Sequence, residues 1–304
     1  MNKTKFLKAG LLIMMIASLG IYIHQTNQAK QSRNAYENAQ QIAQTETTAA
    51  PVTETTEAAA ETEPQETEAE EVIYKIWREM AITDDQYLEE LKYINLEALR
   101  EINPDVNGWI AIPDTKLAYP LMIGTETDYY LDHTWEKVSS IAGSVFIEKL
   151  SRDDLTDFNT VIYAHRMKDD SMFGSLKYYK DPEYWKAHPY VYIYNDSGAH
   201  RYEIFASYEA TLQGSTYQIG FAGDEYKQIF LNNCTGYSVI DTGVMPEIDD
   251  RIITLSTCTG RGYSSRWVVQ ARLDGEYMLV SEAEISEKDS VLGIYEETEA
   301  DRNG

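Results

Sequence analysis
Cysteine is scarce in this 304-residue chain: Cys234 and Cys258 are the only two. That excludes a four-cysteine zinc site and a dense disulfide framework, and leaves one disulfide, one or two buried thiols, or a catalytic thiolate. Basic charge is also short, with 26 lysines and arginines against 50 acidic residues and a formal net charge of -24. A phosphate backbone would repel so acidic a chain, which makes it a poor nucleic-acid binder. HExxH, a phosphate-cradling glycine loop and an internal repeat are all missing. What is there is an apolar content of 43% and an aromatic content of 12%, too much for a wholly disordered protein.

The charge divides the chain into regimes. Residues 1–33 carry Lys3, Lys5, Lys8, Lys30 and Arg33 and no acid. Residues 9–23 (AGLLIMMIASLGIYI) are uncharged and mostly apolar, and Phe6 and Leu7 extend the run around Lys8. That is just long enough for a span of roughly 17–25 residues if Lys8 snorkels to the interface. The lysines before it place the N-terminus in the cytoplasm and the rest of the chain outside. A cleavable signal peptide is the alternative, with Ser18-Leu19-Gly20 as its small-residue site. Residues 34–74 hold ten glutamates and no Lys or Arg, and from Thr45 to Glu71 are almost entirely Thr, Glu, Ala and Pro. Such a segment buries too little to offset its ordering entropy, so it is expected to be a disordered stalk. A folded domain is expected over 75–290 and an acidic flexible tail over 291–304. Removing residues 1–74 is expected to leave that domain folded and active.

The domain opens on a helical pattern, Leu88, Leu91, Leu96, Leu99 and Ile102, ending at Asn103-Pro104. Short β-rich runs come next: Trp109–Ile112, Gly143–Ile147, Thr160–Tyr163, Tyr190–Tyr194, Tyr202–Tyr208, Arg251–Leu255 and Trp267–Leu273. A helix over Asp224–Asn233 interrupts them, with Tyr226, Ile229 and Phe230 on one face. The pattern predicts a mainly β fold, a barrel or sandwich with helical additions.

Three residues stand where chemistry is possible. Cys258 ends the run RIITLSTC before the turn Thr-Gly-Arg-Gly, a setting that exposes and positions a thiol. His165 ends TVIYAH and enters a polar loop, and Arg266 opens SSRWVVQARL. A thiolate can attack a carbonyl, an imidazolium can protonate the leaving amine, and a guanidinium can hold substrate or oxyanion. The competing reading is a buried small hydrophobe or a disulfide for the cysteine, and a surface ion pair for the arginine. His24, His133, His188 and His200 sit in no comparable setting.

TLSTC with an arginine eight residues on, YAHRMKDDSMFGSLKYY upstream, and NPDVNGWIAIPDTKLAYPLMIGTETDYYLDH before that resemble class B sortases of Gram-positive bacteria. The likeness runs from about Leu88 to Leu273. It implies an eight-stranded β-barrel with N-terminal helices and an extra helix before the cysteine strand. It also implies a membrane-anchored, single-pass, extracytoplasmic cysteine transpeptidase. Carried over by position, Cys258 is the nucleophile, His165 the general acid/base and Arg266 the substrate and oxyanion contact. Ser256, Thr257, Leu131 and Thr127 fall where that family lines its peptide groove. Three positions depart: Ala164-His165-Arg166 replaces the family's Gly-His-Asn, Thr127 replaces an Asn, and Gly260 stands where some members have an Asp. The expected reaction cleaves a sorting signal in a secreted protein and passes the acyl group, through a thioester, to an amine of peptidoglycan or a pilin lysine. Neither cofactor nor metal is needed. The rival functions are a thiol endopeptidase using water and an idle surface-binding barrel.

Overall fold
A computed structural model describes residues 3–45, 71–76, 85–91, 93–124, 128–260 and 264–281. The first element is a long helix, α1 (Lys3–Ala43). Its last turns bury Ser32, Ala35, Tyr36, Ala39 and Ala43, spaced by threes and fours along one face. The stripe is made of small residues and one tyrosine, so it carries little hydropathy signal. The stalk expected over 34–74 therefore starts no earlier than residue 44, and residues 46–70 lie outside the described residues, as does the expected tail at 291–304. The apolar run at 9–23 falls within α1. Among the described residues no helix is long and apolar enough to cross a membrane.

After β1 (Glu71–Ile76) come α2 (Gln86–Leu91) and α3 (Leu96–Ile102). They are two short helices where one leucine pattern is read, because Asn95 caps α3 by accepting the amide of Ala98 at 3.0 Å. Leu88, Leu91, Leu96 and Leu99 are buried and Ile102 is exposed. Eight strands then succeed one another in chain order: β2 (Val106–Ala111), β3 (Ala118–Met122), β4 (Val145–Ile147), β5 (Asn159–Tyr163), β6 (Tyr190–Asn195), β7 (Gly198–Thr211), β8 (Ile252–Cys258) and β9 (Ser265–Ser281). They pair in the order β9-β7-β6-β2-β3-β4-β5-β8, and β8 pairs back to β9. The result is a closed eight-stranded barrel, mixed because β3–β4 and β5–β8 are parallel. β1 pairs with the C-terminal residues 276–281 of β9. Closure removes the exposed sheet edge.

Two helices lie between strands: α4 (Pro182–Ala187) and α5 (Asp224–Tyr237). α5 is the helix expected before the cysteine strand, but its buried face is Phe230, Leu231 and Cys234, and Tyr226 and Ile229 are exposed. β3 has no counterpart among the expected strands. It contains Pro120, which reads as a strand breaker. β4 pairs with β3 only at Leu121 and Met122, just past the proline.

α1 contributes to the core, so removing residues 1–74 takes away more than a stalk. The indole Nε1 of buried Trp135 donates to the carbonyl of Ala35 at 2.8 Å. Without the helix the indole would donate to water, so the loss is the net value of that hydrogen bond, about 0.5–1.5 kcal/mol, together with the packing of Ala35, Tyr36, Ala39 and Ala43. A chain starting at residue 46 should therefore show a lower urea midpoint than one starting at residue 28. Equal midpoints would mean that the helix adds nothing to stability.

Candidate active site
β8 has strands on both sides, β5 in parallel and β9 antiparallel, and six of its seven residues are buried. Its β-branched sequence, Ile252-Ile253-Thr254, suits that double flank. Cys258 is its last residue, half-buried, at the point where the chain leaves the barrel. Across the antiparallel ladder its direct partner is Arg266, the second residue of β9. Directly opposed residues share a face of the sheet, so the register itself brings guanidinium and thiol to the same side. Arg266 also donates through Nη1 to the carbonyl of Ser265 at 3.1 Å.

His165 lies two residues past the end of β5, and β8 holds that short extension. The amide of Ala164 donates to the carbonyl of Ser256 at 3.3 Å, and the hydroxyl of Thr257 donates to the carbonyl of Ala164 at 2.8 Å. The imidazole Nε2 meets the backbone carbonyl of Leu131 at 2.7 Å. A carbonyl can only accept, so Nε2 carries a proton, and Nδ1 is left for exchange with the thiol.

The electrostatics push the two groups in opposite senses. The hydrogen bond from His165 lowers the Cys258 thiol below its ordinary value, more than partial burial raises it, and the charges of Arg266, His165 and Arg166 add to the lowering. The hydrogen bond with Cys258 raises His165, burial opposes it, and the Leu131 carbonyl raises it further, whereas Arg266 lowers it. Both directions favour a thiolate beside an imidazolium. A thiolate so placed attacks carbonyl carbon, and the imidazolium can hand its proton to the group that leaves.

Arg166 follows His165 and reaches the turn after Cys258. Its guanidinium donates to the carbonyl of Thr259 and packs over Gly260. Gly260 sits at φ +77°, a conformation that favours glycine, and a Cβ there would come within 2.8 Å of that guanidinium and displace it. Replacing Arg166 by Asn should therefore raise the midpoint of Cys258 alkylation with pH, read by mass spectrometry on iodoacetamide-treated protein. An unchanged midpoint would confine Arg166 to the loop.

Of the other expected groove residues, Ser256 and Thr257 are 1% and 2% exposed and do not line an open surface. Their hydroxyls serve the frame: Thr257 grips Ala164, and the Ser256 hydroxyl lies 3.2 Å from that of Tyr217. Leu131 joins the site through its backbone carbonyl. Thr127 lies outside the described residues. Tyr163 and Tyr217, which pattern reading passes over, stack at 6.2 Å between ring centroids. Both feel Arg266, and Tyr217 also feels Cys258. Two tyrosines among 23 carry no signal of their own in the sequence. Among the described residues no group of acids, histidines and cysteines could hold a metal ion.

The chain is similar to known proteins in sequence and in fold. A family model described as the sortase domain matches residues 110–274. A sortase B of Listeria monocytogenes is 38% identical over 182 residues, which are 59% of this chain and 73% of that protein. A solved Staphylococcus aureus sortase B–substrate complex superposes with a TM-score of 0.55 at 30% identity, covering 61% of this chain and 85% of that one. A sortase B solved with triglycine gives a TM-score of 0.56 at 30% identity, covering 61% and 86%.

Proposed function
Because the chain belongs to the sortase family, in class B, and is a cysteine transpeptidase, we propose that it anchors secreted proteins to an amine of the cell surface, with Cys258, His165 and Arg266 as its catalytic residues. The observation that carries the assignment of residues is the mutual shift of Cys258 and His165, with Arg266 opposite the thiol in the β8–β9 ladder.

The Cys258 thiolate attacks the scissile carbonyl of a sorting signal. Negative charge develops on that oxygen, and the Arg266 guanidinium is the cation facing it. His165 gives its proton to the departing amine, the C–N bond breaks, and the acyl group remains on sulfur as a thioester. An incoming amine then attacks the thioester, the now neutral His165 takes its proton, and the thiolate leaves. The energy of the cut peptide bond is kept in the thioester, so no cofactor enters. The acceptor is an amine of a peptidoglycan cross-bridge or of a pilin lysine. A triglycine bound to one relative and a substrate bound to another support a short amine acceptor and a peptide donor. The apolar run at 9–23, with lysines on its N-terminal side, supports a single-pass anchor that holds the barrel on the outer face of the membrane.

Incubating the protein with a library of sorting peptides and candidate amines, and reading products by mass spectrometry, tests this. New amide products are expected. Hydrolysed peptide alone would make the protein a thiol endopeptidase, and no turnover at all would leave an idle barrel. The dyad also sets a pH expectation. The lowered thiol is deprotonated below the ordinary cysteine value of about 8.5, and the raised imidazole keeps its proton to a higher pH than usual. Turnover should therefore rise as pH climbs through the thiol's value and fall as His165 loses its proton. A profile still climbing at pH 9 would contradict the thiolate–imidazolium pair.

A further inference from the structure
The last turns of α1 and the cysteine-histidine pair lie on either side of one loop, residues 128–144. That loop presents the Leu131 carbonyl to Nε2 of His165. Its other end comes back against the same carbonyl at Gly143. Gly143 sits at φ +56°, and a Cβ there would lie 2.5 Å from the Leu131 oxygen and 2.6 Å from the Tyr130 oxygen. The backbone of Gly143 is thus pressed onto the acceptor that holds the imidazole.

Gly143 is held by the loop itself, through its amide to the Ser140 carbonyl at 3.2 Å and the Ser144 amide to the Tyr130 carbonyl at 2.8 Å, and from outside the loop by the N-terminal helix. The Tyr36 hydroxyl, buried with its ring, donates to the Gly143 carbonyl and lies 3.2 Å from the Ser144 hydroxyl. Ser32 and Ser140 are 2.5 Å apart through their hydroxyls, and Trp135 donates to Ala35. From the barrel side, Tyr130 donates to Asp105 at 2.6 Å, and Asn103 donates to the Tyr130 hydroxyl at 3.0 Å and to the Trp135 carbonyl. The loop is therefore clamped between α1 and the residues just after α3.

We infer that α1 acts as a positioning element for catalysis: Tyr36, acting through Gly143 and the carbonyl of Leu131, sets where the imidazole of His165 is held. This makes the N-terminal helix part of the catalytic frame. The inference rests on the reading of Cys258 and His165 as the reacting pair. A misplaced carbonyl would weaken its bond to Nε2–H. That bond favours the charged imidazole, so His165 would lose its proton at lower pH. With less imidazolium beside it, Cys258 would form its thiolate at higher pH. The other groups facing the pair are Arg266, Arg166 and Tyr217, and none of them touches α1 among the bonds described above.

The test uses the full-length chain with Tyr36→Phe, which removes one hydroxyl, and Gly143→Ala, which forces the loop off the Leu131 carbonyl. Tyr226→Phe, exposed on α5, serves as the control. Three readings are taken: the pH midpoint of Cys258 alkylation by iodoacetamide, kcat and KM for amide formation, and the melting temperature. Tyr36→Phe should raise the alkylation midpoint and slow alkylation at neutral pH by about twofold to thirtyfold. It should lower kcat in proportion, with KM unchanged and the fold intact. Gly143→Ala should do the same more strongly. If Gly143→Ala does not fold, Tyr36→Phe decides alone. A lowered melting temperature with an unmoved midpoint would make Tyr36 a structural residue only and overturn the inference. Alkylation needs no sorting peptide, so the relay is judged even if no peptide is cut. If wild-type Cys258 titrates as an ordinary thiol, the reacting pair and the relay built on it fall together.

Discussion
Replacing Cys258 by Ala should abolish amide formation, by about 10⁴-fold or more, whereas Cys234→Ala should keep most of it. Loss of a nucleophile in a coupled set removes nearly all the catalysis that the set provides. The two cysteines differ in everything that makes sulfur reactive. Cys258 is half-buried with its thiol lowered by His165. Cys234 is 2% exposed on α5, and burial pushes its thiol up to about 11. It closes a buried polar chain instead. Thr254 donates to Asn159 at 2.6 Å, Gln270 donates to Thr254 at 2.9 Å, and the Tyr208 hydroxyl lies 3.0 Å from Gln270 Oε1 and 3.5 Å from Cys234 Sγ. Both sulfurs are free, so no bridge links them. Cys234→Ala should therefore show in the melting temperature and hardly in turnover. If both variants lost activity and the intact mass showed a disulfide, the nucleophile would have to be sought elsewhere.

Arg266→Lys should lower kcat/KM by at least about tenfold while the fold stays intact, although the charge is kept. A guanidinium presents a rigid fork of donors, which can hold a substrate carbonyl and a developing oxyanion together, and an ammonium is a point charge. Removal of one oxyanion donor typically costs about 10²–10³ in rate. The alternative is a surface ion pair, worth roughly 0–1 kcal/mol, which would tolerate the swap. The register argues against that alternative, because it sets Arg266 across from Cys258. Near-normal turnover with lysine would remove Arg266 from the reaction and leave Cys258 and His165 to carry it.

The strand ends were legible because their chemistry and their punctuation coincide. RIITLSTC stops at a glycine turn and TVIYAH stops at a polar loop, and the structure ends β8 at Cys258 and β5 two residues before His165. The barrel itself was legible through the family resemblance, since β-rich runs alone suit a sandwich as well. The features that escaped reading trace to particular residues. Pro120 hides β3. Ala35, Ala39 and Ala43 hide the packed face of α1, since a stripe of alanines does not differ from a solvated helix until something is laid against it. Ser256 and Thr257 are expected in the groove because they fall where the resembling family lines it, yet every residue of β8 before Cys258 is buried. Leu131 acts through its carbonyl, which no side-chain pattern reports.

The pairing of β8 with β9 has a consequence for the life of the molecule before it is finished. That ladder is one of the pairings that close the barrel, and its last rung is Cys258 against Arg266. Until it forms, the cysteine lacks its fixed guanidinium neighbour. Until β8 also lies on β5, the residue before His165 is not gripped and the imidazole is not in place. An open chain therefore carries an ordinary thiol, mostly protonated and slow toward peptide bonds. The reactive thiolate comes into being only with the completed barrel, so an unfolded chain cannot cut its neighbours.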